Sequence, residues 1–64
     1  MARRETPMSA SEEQQRLNAL LSGKEVERID RVSQNEIVIF FAGGARLFLE
    51  ADSEGNIALS VTGA

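Results

Sequence analysis

The chain is predicted to adopt an α+β fold, with one N-terminal helix packed on a small antiparallel β-meander sheet of about four strands. Three observations predict it. A capped, leucine-striped segment spans residues 9–22, and clean period-two alternation runs through 45–51 and 57–62. The breaks between the later apolar segments are also far shorter than the dozen or more residues a parallel crossover needs. Consecutive strands must therefore turn back on one another.

The helix comes first. Ser9 with Glu12 and Ser11 with Gln14 both fit the capping-box pattern, so the start lies at Ser9 or Ser11. Glu12 and Glu13 suit the positive end of the helix dipole. Leu17, Leu20 and Leu21 form one stripe at i, i+3, i+4 spacing, and Gly23 is the expected stop. The stripe covers only the C-terminal half. A helix this short is marginal alone and has to dock on something.

Residues 24–32 are the most ambiguous. Val26, Ile29 and Val32 are three apart, a helical spacing as much as a strand one. Three β-branched residues just after a helix-ending glycine favour a strand, either bulged or two-sided in character. Residues 33–35 then form a turn, and 36–42 (EIVIFFA) a strand. Gly43-Gly44 supplies the positive φ of a tight hairpin. Ala45, Leu47, Leu49 and Ala51 share one face of the next strand, while Arg46, Phe48 and Glu50 share the other. Asp52 paired with Asn56 would put Gly55 at the left-handed position of a three-residue turn. That pairing sets Leu49 against Leu59 and Leu47 against Val61, giving one continuous apolar face for the helix to cover. Residues 1–8 are expected to be a disordered tail, and 9–64 a single domain.

Composition narrows the function classes. A 64-residue chain buries only about 60% of the surface its unfolded form exposes, so its core is small. There is no cysteine and no histidine. Disulfides, thiolate or imidazole metal sites and the common nucleophile–base pairs are therefore not expected. The carboxylates of the KEVERIDR segment read as a solvated, charge-mixed face, and residues 52–56 lack the oxygen-ligand spacing of a calcium loop. No catalytic residue, cofactor or metal is expected, and the chain is not expected to be an enzyme. The net charge of −3 argues against a nucleic-acid footprint. No apolar run approaches the ~18 residues of a membrane span, and none follows Arg3 and Arg4 as a secretory signal would require. The cytoplasm is the default compartment.

One strand breaks the pattern. Residues 36–42 are apolar on both sides: Ile37, Ile39 and Phe41 point one way, Val38 and Phe40 the other. A single short helix cannot cover two faces. The expected function is a non-enzymatic, self-associating interaction module, most simply a homodimer, using a second apolar sheet face around Ile39, Phe40, Phe41 and Phe48. Several alternatives stay open: cover of this face within the monomer by the first strand, the N-terminal tail or sheet curvature; docking of a larger protein partner as an accessory or regulatory protein; a small-molecule pocket between subunits; and edge-to-edge pairing of the last strand. The register at Gly43-Gly44 is also open, and with it which phenylalanines join the core.

Overall fold

A computed structural model describes residues 9–63. The expected tail, residues 1–8, lies outside the described residues. One helix, α1 (Ala10–Leu21), precedes four strands: β1 (Val26–Ser33), β2 (Glu36–Phe41), β3 (Arg46–Ala51) and β4 (Ile57–Thr62). The strands form one antiparallel sheet in the order β1-β2-β3-β4, the meander of an α+β fold.

The helix starts where its side chains can replace missing backbone partners. Ser9 is the N-cap. Its Oγ accepts from the Glu12 N–H at 3.2 Å, and the Ser9 N–H donates to the Glu12 carboxylate at 3.0 Å. Two orphan donors of the first turn are thus satisfied reciprocally. At the other end the Ser22 N–H donates to the Asn18 carbonyl, and Gly23 takes φ +81°. No helical residue is buried. Leu17, Leu20 and Leu21 are half-buried, so α1 leans on the sheet rather than sealing it.

β1 is a strand, and its three-residue apolar spacing has a physical cause. Val26 pairs with Phe41 and Arg28 with Phe40, which leaves Glu27 as an extra, bulged residue. The bulge shifts the alternation by one and brings Val26 and Ile29 to the same face. A second irregularity leaves Val32 unpaired between Arg31 and Ser33. A helical spacing has become a strand one through one inserted residue.

The loops follow their glycines. The Phe41 N–H donates to the Ala45 carbonyl at 2.8 Å, and the Gly44 N–H to the Phe41 carbonyl at 3.2 Å. Ala42, Gly43 and Gly44 thus form a three-residue hairpin loop, with Gly43 and Gly44 at φ +91° and +98°. At the last hairpin Asp52 faces Asn56 as expected, and Gly55 sits at φ +87°.

The register at Gly43-Gly44 decides the two faces of the sheet. Ile37 pairs with Leu49 and Ile39 with Leu47, while Val38 pairs with Phe48 and Phe40 with Arg46. Leu47 faces Val61 and Leu49 faces Leu59. Ile37, Ile39, Leu47, Leu49, Leu59 and Val61 therefore share one face, the leucine face. Val38, Phe40 and Phe48 share the other. The core is small. Among the described residues only Val38 (5% exposed), Phe41 (8%) and Ala45 (1%) are buried.

Candidate functional site

The phenylalanine face is a compact apolar cluster with a polar surround. Arg28 and Arg46 flank Phe40 on the neighbouring strands. Their guanidinium carbons lie 4.1 Å and 5.3 Å from its ring centroid, within cation–π range. Arg28 is held in turn by Asp30, with Nε 3.2 Å from the carboxylate. Val38 lies between Asp30 and Phe48 and is almost fully covered. The rest of this face is Ser33, Glu36, Glu50, Ala58, Ser60 and Thr62. The apolar second side of β2 is thus largely shielded within the chain by its cross-strand arginines.

The leucine face has the opposite character. Its paired positions carry a single charge, Arg31, opposite Ile37. Two of its side chains stand far out of the protein: Ile29 is 62% exposed and Ile57 65%. Val26 is 50% exposed at the β1 end, and the bulged Val32 is 58% exposed. Helix α1 approaches this face at β4, where Leu17 and Leu20 meet Leu59 and Val61 across a cleft of about 240 Å³ rimmed by Glu13 and Arg16. A shallower, mostly apolar hollow of about 200 Å³ lies at the far end, between Ile37, Leu49, Ala51 and Ile57.

The four residues expected to form one contact patch divide between the faces. Ile39 and Phe41 lie on the leucine side, Phe40 and Phe48 on the other. Phe41 packs opposite Ala45 and belongs to the core. Ile29 and Ile57, the most exposed apolar residues of the leucine face, lie outside that expectation. Their signal was the alternation of β4 and the bulge that turns Ile29 to the same side as Ile39.

Among the described residues no charged side chain is buried. No three acidic side chains come together to hold a metal ion. No described helix is long and apolar enough to cross a membrane. Among the described residues the one perturbed titratable group is Asp52. The Asn56 side-chain amide, then the Asn56 and Glu54 backbone N–H groups, donate to its carboxylate and hold it below its ordinary value of 3.8. This is a turn device: the carboxylate replaces missing backbone partners in the hairpin loop. No family model matches the chain, and no curated protein and no solved structure matches it either.

Proposed function

We propose that the chain is a non-enzymatic interaction module that self-associates, burying Ile57 and the β4 side of the leucine face. The observation that carries this is the imbalance between a core of three buried residues and an apolar face whose isoleucines stand mostly in water. A domain this small gains little stability from its own interior, and a second subunit is one of the standard supplements. The near absence of charge on the leucine face suits an apolar, self-complementary contact.

The test is molar mass by light scattering on a size-exclusion column, over a range of loading concentrations, for wild type and Ile57→Lys. A wild-type mass of two chains that falls to one in the variant supports the reading. A wild-type monomer at every concentration refutes self-association. It would favour the second reading, in which Ile29 and Ile57 dock a larger protein whose basic rim complements the acidic chain. Pull-down with wild type against Ile57→Lys would then be the measurement.

A further inference from the structure

The two edges of the sheet are built differently. β1 carries Glu27, Arg28, Asp30 and Arg31 and is interrupted by irregularities at Glu27 and Val32. Charges and bulges are the usual means of keeping an edge strand from pairing with another chain. β4 has neither. Its sequence, Ile-Ala-Leu-Ser-Val-Thr, contains no charge and no proline, and its pairing with β3 is regular throughout.

The hydrogen-bond alternation shows which groups that edge presents. The Asp52 N–H donates to the Asn56 carbonyl at 2.9 Å, so Asn56 points its backbone groups toward β3. In an antiparallel ladder the direction alternates residue by residue. Ala58, Ser60 and Thr62 therefore bond to β3, while the N–H and C=O of Ile57, Leu59 and Val61 point outward. Among the described residues no hydrogen bond takes up these outward groups.

We propose that β4 pairs antiparallel with β4 of a second copy across a two-fold axis at Leu59, joining two meanders into one continuous sheet. The inference rests on the self-association proposed above and specifies its geometry. Three registers pair at least two outward residues of each chain; with Ala58 on the axis, Val61 would have to pair with the partner's Gly55, which takes φ +87° in the hairpin loop, so that pair is lost. With Leu59 on the axis, Ile57 pairs with the partner's Val61, Leu59 with the partner's Leu59, and Val61 with the partner's Ile57, so every outward residue of the strand is used. With Ser60 on the axis, Ile57 would have to pair with the partner's Gly63. Gly63 takes φ +71°, outside strand geometry, and is packed against the Gly44 carbonyl, so that pair is lost. The Leu59 register is therefore preferred. It also keeps the faces continuous, because directly opposed residues share a face. The partner's Ile57 then stands beside Val61, which with Leu17, Leu20 and Leu59 lines the cleft under α1. The most exposed isoleucine of one chain thus meets the incompletely filled apolar cleft of the other. An isologous two-fold contact makes each such exchange twice.

The experiment is amide hydrogen exchange by NMR on the full chain, together with light scattering on wild type, Ser60→Lys and Ile29→Lys. Ser60 is exposed, pairs with Phe48 on the phenylalanine face and also borders the α1 cleft between Leu59 and Val61, so the lysine keeps every apolar side chain of the leucine face and the pairing with β3. In the dimer it sets two like charges about 7–8 Å apart diagonally across the axis. The expected result is a wild-type mass of two chains, halved in Ser60→Lys and unchanged in Ile29→Lys. The Ile57, Leu59 and Val61 amides should exchange at least tenfold more slowly in wild type than in Ser60→Lys, with Ala58 and Ser60 amides protected in both. A dimer that survives Ser60→Lys with those three amides in fast exchange overturns the edge pairing while leaving self-association standing. Loss of the dimer in Ile29→Lys alone likewise overturns it, by assigning the contact to stacked faces. A monomeric wild type overturns both.

Discussion

Val38 and Ile29 are both β-branched and apolar, sit on adjacent strands, and differ in what covers them. Val38 is 5% exposed between Asp30 and Phe48, whereas Ile29 is 62% exposed on the opposite face. Val38→Ala deletes two methyl groups from a filled site. At about 0.8 kcal/mol for each buried carbon, plus a cavity term, the expected loss is about 2 kcal/mol. Ile29→Ala deletes three carbons, worth about 2.4 kcal/mol if fully buried. Most of the side chain already lies in water, which reduces the expected loss to below about 1 kcal/mol. For a domain of this size, whose total stability is of order 3–10 kcal/mol, the first change should lower Tm by roughly 8–16 °C. The second should lower it by a few degrees. The assay is thermal unfolding followed by circular dichroism, repeated at two protein concentrations. If Ile29→Ala proves as costly as Val38→Ala at both, the reasoning from exposure is refuted. The β1 side of the leucine face would then be buried in solution, and the face itself would be the subunit contact.

Three further outcomes follow from local geometry. Gly63→Ala should destabilise the fold by about 1–2 kcal/mol, because a left-handed φ disfavours a side chain and the new Cβ would collide with the Gly44 carbonyl; urea unfolding checks it. Ser9→Ala should cost about 1 kcal/mol by breaking the capping box, seen as a lower helical signal at 222 nm and an earlier melt. Asp52 governs an acid dependence. Its folded-state carboxyl titrates below its ordinary 3.8, so its contribution is fully present above that value and fades as pH falls through the lower folded one. Tm should therefore drop as pH falls below about 4, and Asp52→Asn should flatten that part of the profile.

The features legible in the sequence are those set by groups a few residues apart. The capping box of Ser9 and Glu12, the helix end at Gly23, and the Asp52–Asn56 hairpin with Gly55 all formed as their residue types required. Each depends on a hydrogen bond or a positive φ within five residues, so the local chain contains the whole cause. The α+β meander follows from them, since loops this short admit only antiparallel neighbours. The bulge in β1 was legible only as an irregularity in apolar spacing, and its place at Glu27 came from pairing with β2.

Which side chains end up covered was decided by the tertiary structure. The sequence shows that β2 is apolar on both sides, but not that Phe40 is flanked by arginines from two different strands. Nor does it show that the three-residue loop at Ala42–Gly43–Gly44 sends Phe41 into the core with Ala45 while Ile29 and Ile57 remain in water. A shift of one residue in that hairpin would have exchanged the faces of β2. The reach of α1 is a tertiary outcome in the same sense. Three leucines at the end of a twelve-residue helix can line a cleft over β4, but they are too few to span four strands. Burial is a property of all the elements together, and no single segment of the chain contains it.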